Sequence, residues 1–303
     1  AKGKKGKGAT AQGPGELRIV GARANNLAGI DVAIPLGQLV AVTGVSGAGK
    51  STLVRSVLVG QLARDPDRGA CERIEGAERV REVVVVDQTP AARSPRSNPA
   101  TVTKAFDGIR QLFAATREAK RLGVGPGWFS FNVAGGRCET CEGAGEVVID
   151  MQFLDDVRVP CEACNGLRYR REVLDVRVEG RSIVDVLAMP VEEALTLFAG
   201  QRTVVERLEP LVRVGLGYVA VGQPLSTLSG GENQRLRLAL ALRAAQPGAL
   251  FVLDEPTTGL HAVDVHALVG CLDQLLDAQG SVIVVEHNLD LIAQADHVID
   301  LGP

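Results

Sequence analysis

Four short apolar runs stand out along the chain: LVAVT at 39–43, VVVV at 83–86, LFVL at 250–253 and VIVV at 282–285. None alternates polar with apolar residues. Near-continuous runs of this length predict strands buried on both faces, as in a parallel sheet covered by helices. Longer helical stretches separate them, so the predicted class is α/β with a mainly parallel sheet. Each run is followed at once by polar or Gly-rich residues. In open α/β sheets the ligand site lies beyond the carboxyl ends of the strands. That rule gathers four segments into one candidate site: GVSGAGKST (44–52), DQTP (87–90), DEPTTG (254–259) and EHN (286–288).

The pattern breaks from about 91 to 244. This stretch holds four of the six cysteines, the turn-rich GVGPGWFSFNVAGG (123–136), and helical periodicity at 191–199 and 203–213. It predicts an inserted domain, with a zinc-type module at about 133–170, between core segments 16–90 and 245–303. Residues 1–15 are Gly, Lys, Ala and Pro with almost nothing to bury, and predict a flexible linker in which Lys2, Lys4, Lys5 and Lys7 are solvated. A chain starting at Ala and stopping after VIDLGP reads as a fragment of a longer protein.

Composition narrows the classes. Aromatic residues are only 3%, so the core rests on Val, Leu, Ile and Ala. A net charge of −3 provides no global attraction to nucleic acid or anionic membrane, and any such attraction needs a local patch. No apolar run approaches the roughly 20 residues of a membrane helix. The N-terminus has no hydrophobic signal region. The expectation is a cytoplasmic protein without a membrane partner, whose paired cysteines are reduced and bind metal.

GVSGAGKS fits G-x-x-x-x-G-K-[ST], from Gly44 through Val45, Ser46, Gly47, Ala48 and Gly49 to Lys50 and Ser51, with Thr52 next. Glycines let the backbone wrap phosphates with its N–H groups pointing inward, and the following helix presents its positive end. Lys50 pairs with the β/γ-phosphates and Ser51 ligates Mg²⁺. The motif stands between an apolar strand and a helix-forming stretch, which is the context it needs. Asp254 ends a buried run and reaches the Mg²⁺ shell. Glu255 polarises the attacking water; a carboxylate suffices because phosphoryl transfer depends on positioning and charge stabilisation. Gln88 is placed to sense metal and water, and His287 to contact the γ-phosphate. His261, His266 and His297 read as structural.

STLSGGENQRLRLALAL adds a second anion seat. Ser229 and Glu232 form an S-x-x-E capping box, so a helix begins there. Gly230 and Gly231 leave its first N–H groups open. Two seats for one γ-phosphate imply a site shared between two ATPase units. Together with the P-loop, Gln88, Asp254–Glu255 and His287, this set resembles the ATP-binding-cassette superfamily. The resemblance implies that Ser229, Gly230 and Gly231 bind ATP held by a partner unit.

The cysteines read C-x₂-C-x₁₉-C-x₂-C: Cys138, Cys141, Cys161 and Cys164. This spacing suits a closed, structural Zn²⁺ site, with Gly143, Gly145 and Gly166 permitting tight turns. Cys71 and Cys271 read as ordinary thiols. Transporter ATPases do not split the P-loop from LSGGE with such a module. From about 16 to 303 the chain is similar to the UvrA family of bacterial nucleotide excision repair, in its C-terminal ATPase half. PRSNPAT, FSFNVAGGRCETCEGAGE, VPCEACNGLRY, VGLGYVAVGQPLSTLSGGE, LDEPTTGLH and VEHNLDLI carry the resemblance. It implies ATP, Mg²⁺ and Zn²⁺ as cofactors. It implies double-stranded DNA, a second ATPase half of the same chain, a homodimer partner and the other excinuclease subunits as partners. The zinc module would be a DNA-facing arm whose position depends on ATP. Arg93, Arg96, Lys104, Arg168, Arg170 and Arg171 are its candidate phosphate contacts. Asn233 stands where the family often has Ala, and TPAARSP varies a stretch that usually contains Gly. A related drug self-resistance ATPase would share these motifs, and a transporter ATPase is a more distant reading.

Overall fold

In the computed structural model, which describes residues 15–62, 70–87, 96–149, 151, 157–244, 246–260 and 262–302, the four apolar runs are strands of one sheet. Ten strands occur among the described residues: β1 (Glu16–Ala22), β2 (Ile30–Pro35), β3 (Leu39–Gly44), β4 (Arg73–Glu75), β5 (Glu82–Val86), β6 (Glu146–Ile149), β7 (Val157–Pro160), β8 (Ala249–Asp254), β9 (Ser281–Val285) and β10 (His297–Leu301). The chain forms two compact units, Ala1–Asp87 with Ala244–Pro303, and Gln88–Arg243.

The first unit carries a five-stranded, all-parallel sheet in the order β10-β3-β9-β8-β5. β3, β8 and β9 are covered on both faces through most of their length. The run at 83–86 forms one edge of the sheet, and only Val86 in it is fully buried. β10 forms the opposite edge. Its His297, Val298 and Asp300 are exposed, which is why no apolar run marked it.

A separate antiparallel sheet, β2-β1-β4, covers one side. Here the chain does alternate: Leu17 and Ile19 of β1, and Val32 and Ile34 of β2, turn inward. They meet Leu53, Val54, Val57 and Leu58 of the helix Thr52–Val59, which in turn packs with Val40, Val42, Val252 and Ile283 of the parallel sheet. The helix after the phosphate loop is therefore clamped between two sheets. The helix Ala262–Asp277 buries Val265, Leu268, Leu272 and Leu275, a 3-4-3 spacing that makes one helical stripe.

The second unit concentrates the few aromatic side chains. Phe106 lies 5.3 Å from Phe131, and Phe113 lies 5.5 Å from Phe129, ring centre to ring centre. The Tyr169 hydroxyl donates to the Phe129 carbonyl at 2.9 Å. Asn98 caps the helix Pro99–Val102 by accepting from the Thr101 amide. β6 and β7 form an antiparallel hairpin beside the cysteines.

Phe251 is buried in β8, whereas Val298 is exposed in β10. We expect Phe251→Ala to destabilise by about 3–5 kcal/mol and Val298→Ala to stay within about 0.5 kcal/mol, as read by urea denaturation.

Candidate active site and metal centre

The phosphate loop follows from close backbone packing. Gly44 has φ 133°, and a Cβ there would lie 2.3 Å from the Leu301 carbonyl oxygen, so β3 and β10 approach this closely only because residue 44 lacks a side chain. The helical turn starts at once, with the Leu53 amide donating to Gly49 O at 2.8 Å. Lys50 is 7% exposed. Its ammonium donates to the carbonyls of Gly44 at 2.8 Å and Val45 at 2.9 Å. Asn26 braces the loop from β1–β2, donating its side-chain amide to Gly47 O at 2.8 Å.

An open cleft of about 350 Å³ lies over this loop, lined by Lys50, Ser51, Asn26, Glu255 and His287 among others. The residues at the carboxyl ends of β3, β8 and β9 thus converge as the strand rule requires. A larger cleft of about 490 Å³ near Arg79, Arg81, Pro247 and Ser281 opens where β5, β8 and β9 begin, and holds none of the predicted residues. Gln88 lies outside the described residues.

Asp254 ends β8, and its carboxylate is 3.0 Å from Arg55, which also lies 3.5 Å from Asp87. Burial raises the Asp254 pKa; Arg55 pulls it back, and the neighbouring Glu255 and Asp87 carboxylates raise it further. A cation at this point is electrostatically favoured. Arg55 and Asp87 were not singled out in the sequence, although DQTP marked the right strand end. Glu255 adopts a left-handed backbone, φ 47°. Its amide donates to Val285 O at 2.8 Å, and its carboxylate lies 3.5 Å from His287 Nε2. Glu286, within EHN, is 2% exposed and bonded to both neighbouring loops, a burial that its local sequence does not mark.

In the second unit, the Ser229 amide donates to Glu232 Oε2 at 2.7 Å and the Glu232 amide donates to Ser229 Oγ at 3.2 Å. This reciprocal pair is the capping box, and Gly230 and Gly231 open the helix Gly230–Ala244. Burial alone would raise the Glu232 pKa, but hydrogen bonds from the Tyr218 hydroxyl and from Ser229 bring it below the ordinary value. Asn233 is 3% exposed, and its side-chain amide donates to the carbonyls of Leu228 and Ser229, both at 3.1 Å. Asn233 thereby ties down the backbone of the loop before the helix Gly230–Ala244.

Cys138, Cys141, Cys161 and Cys164 are buried, with their sulfurs all within 4.8 Å of one another. Cys138 and Cys161 sulfurs are 4.0 Å apart, and those of Cys141 and Cys164 are 3.7 Å apart. Tetrahedral zinc with Zn–S near 2.3 Å requires sulfurs about 3.8 Å apart, so the set fits. The two knuckles repeat one backbone design. Glu142 and Gly143 have φ 49° and 81°, and Asn165 and Gly166 have φ 51° and 79°. Each turn returns a glycine amide to the first cysteine's carbonyl: Gly143 to Cys138 at 3.1 Å and Gly166 to Cys161 at 3.2 Å. Gly145, at φ 82°, leads into the hairpin.

The candidate DNA-contacting residues are placed differently from one another. Arg96 faces Glu142 at 3.7 Å and Arg170 faces Glu139 at 3.5 Å. Arg171 begins the short helix Arg171–Leu174 and is exposed. Lys104 has φ 61° at the start of Ala105–Ala115. Arg168 is half-buried over the Phe131 ring, 5.4 Å from its centre, and burial lowers its pKa. Arg93 and His261 lie outside the described residues. Cys71 is half-buried and Cys271 is buried.

No family model matches the chain. The UvrABC system protein A of Thermus thermophilus is 54% identical over 293 residues, covering 95% of this chain and 31% of that protein. That of Streptomyces avermitilis is 54% identical over 294 residues, covering 95% of this chain and 29% of its own. Among solved structures, UvrA2 from Deinococcus radiodurans superposes with a TM-score of 0.88 at 48% identity, over 95% of this chain and 36% of that one. The chain therefore spans about a third of the length of the relatives it matches. With this identity over nearly all its residues, and with the same ATP-binding-cassette fold, the chain belongs to the UvrA family as part of its C-terminal half.

Proposed function

We propose that this chain is an ATP-hydrolysing, DNA-binding part of an excinuclease subunit of bacterial nucleotide excision repair. The observation that carries the hydrolytic part is the single cleft that brings Lys50, Ser51, Glu255 and His287 together. The family supplies the repair context.

Inward-facing amides of the loop 44–52 hold the phosphates, and Lys50 exchanges the Gly44 and Val45 carbonyls for phosphate oxygens. Ser51 and Asp254 hold Mg²⁺, with Gln88 in support. The metal supplies charge neutralisation at the phosphates. Glu255 accepts a hydrogen bond from water and orients it toward the γ-phosphorus. The water oxygen bonds to that phosphorus as the bond to the bridging oxygen breaks; the water's proton leaves by way of Glu255, giving ADP and phosphate. His287 stands beside Glu255 and contacts the γ-phosphate that is transferred to water. Ser229, Gly230 and Gly231 serve the nucleotide of a partner unit, so the working form pairs this half with a second ATPase half and a homodimer partner. The other excinuclease subunits act with it, and cytoplasmic location follows from this role. Among the described residues, no helix is long and apolar enough to cross a membrane.

The four thiolates hold one structural Zn²⁺, and the surrounding basic residues face double-stranded DNA. Arg96, Arg170, Arg171 and Lys104 are the contacts, with Arg93 beside them in sequence. Arg168 contributes by fixing the module against Phe131.

In the full-length protein we expect Glu255→Gln to bind ATP but lose turnover by about 100-fold or more, and Lys50→Ala to weaken both. Nucleotide binding and phosphate release decide this; normal turnover by Glu255→Gln removes the assigned role.

Freshly purified, reduced protein should carry one zinc per chain, and Cys141→Ser or Cys164→Ser should lose it. Binding of structural zinc can contribute about 10–16 kcal/mol, so chelation should also melt the second unit. Elemental analysis without zinc would refute the metal assignment.

DNA affinity should fall with salt at a log–log slope near −0.9 per phosphate neutralised. Arg96→Ala and Arg170→Ala should weaken damaged and undamaged duplex by similar factors, because phosphates carry no lesion information. Titrations at several salt concentrations test this, and a flat response rules out the basic surface.

A further inference from the structure

A buried carboxylate is costly unless hydrogen bonds replace its water. Glu286 is buried just beyond β9, and four donors converge on it. Its Oε1 accepts from the Thr257 amide at 3.0 Å and from the Thr257 hydroxyl in a short bond. Its Oε2 accepts from the His287 amide at 2.6 Å and the Asn288 amide at 2.9 Å. An ionised carboxylate offers acceptors only, so no neutral side chain matches four donors. Hydrogen bonds to a charged acceptor are also the stronger kind.

The two oxygens serve different loops. One holds the turn that begins at Glu255; the other holds the segment that carries His287. The Glu286 amide donates to Val42 O at 3.1 Å, which links the same residue to the strand feeding the phosphate loop. Glu255 stands in a left-handed conformation that a non-glycine residue keeps only when its surroundings over-determine it. The Glu255 amide bond to Val285 O and the Thr258 amide bond to Glu255 O at 3.1 Å supply part of that restraint. The Thr257–Glu286 bonds supply the rest. The Glu286 side chain does not line the cleft over the phosphate loop.

We propose that Glu286 is a positioning residue of the nucleotide centre: it clamps Thr257 to the backbone of His287 and Asn288, and so sets the placement of Glu255 against His287. This rests on the ATPase reading above. Because the clamp touches the catalytic loops and not the nucleotide, its loss lowers turnover and leaves nucleotide affinity in place. In Glu286→Gln the –NH₂ group faces an N–H donor, so half of the clamp turns repulsive.

The test uses the full-length protein, with ATP binding, kcat, KM and thermal melting measured in parallel. Glu286→Gln should lower kcat about 10- to 100-fold, the size of effect that small misplacements produce, with ATP affinity within about threefold. Thr257→Val, which removes only the hydroxyl bond, should move kcat the same way by less, and Thr257→Ser should restore it. Glu286→Gln added to His287→Ala should cost little beyond His287→Ala alone, because both act on one arrangement. The proposal fails if Glu286→Gln and Thr257→Val both turn over at the parent rate. It also fails if affinity and turnover fall together with the melting temperature, or if the double variant loses the full product of the two single effects. Where Glu286→Gln does not fold, the Thr257 pair decides alone. A parent protein that neither binds nor hydrolyses ATP refutes the ATPase reading itself, and the clamp with it.

Discussion

The nucleotide centre depends on three parallel strands being laced together at their carboxyl ends. β3, β9 and β8 are adjacent and in register. The lacing continues past the strands: the Glu286 amide reaches Val42 O, and the Glu255 amide reaches Val285 O. Glu255 and His287, which face the cleft, follow directly on these bonded positions. The strands themselves are held by burial on both sides, with the helix Thr52–Val59 and the antiparallel sheet on one face and the helix Ala262–Asp277 contributing its apolar stripe. The hydrophobic effect is nondirectional; the hydrogen-bonded lacing converts it into a defined placement of a few polar atoms.

Around that placement, charge is managed by partners rather than by solvent. Lys50 is enclosed and bonded to loop carbonyls. Asp254 and Asp87 share Arg55 as a counter-ion. Glu286 has backbone and hydroxyl donors. Lys50 and Glu286 are buried, where electrostatic interactions are stronger than in water. Under the proposed reading, a nucleotide would meet donors and carboxylates already arranged, the kind of preorganisation that phosphoryl transfer uses.

The second unit solves a different problem. Among the described residues, Ala144 is the one partly buried apolar neighbour packed against its cysteine knuckles. The backbone instead turns through paired left-handed residues and returns amides to cysteine carbonyls. That backbone brings four sulfurs to spacings a tetrahedral ion would fit. The nearby aromatic cluster of Phe106, Phe129, Phe131 and Tyr169 gives the knuckles a firm base, with Gly143 packed so tightly that a Cβ would lie 1.8 Å from the Phe131 carbonyl oxygen.

Much of this was legible in the chain. Continuous apolar runs marked β3, β8 and β9, since strands covered on both faces have no polar alternation; the run at β5 marked a strand too, but a half-buried edge one. The phosphate loop, the capping box and the Cys-x₂-Cys pairs were readable because each is a local device: spacing of a few residues settles which atoms meet. What the chain could not show were partners distant in sequence. β10 pairs with β3 across more than 250 residues (Leu39 N to Asp296 Oδ2 spans 257), and an exposed edge strand leaves no strong pattern. Arg55 meets Asp254, Asn26 meets the phosphate loop, and Glu286 meets Thr257 only after the sheet assembles. A lone Glu in EHN carries no mark of burial, because its burial is a property of the strands that end beside it. Local geometry is written in local sequence; the pairing of buried polar groups is decided by the tertiary fold, where the absence of water makes an unpaired group costly.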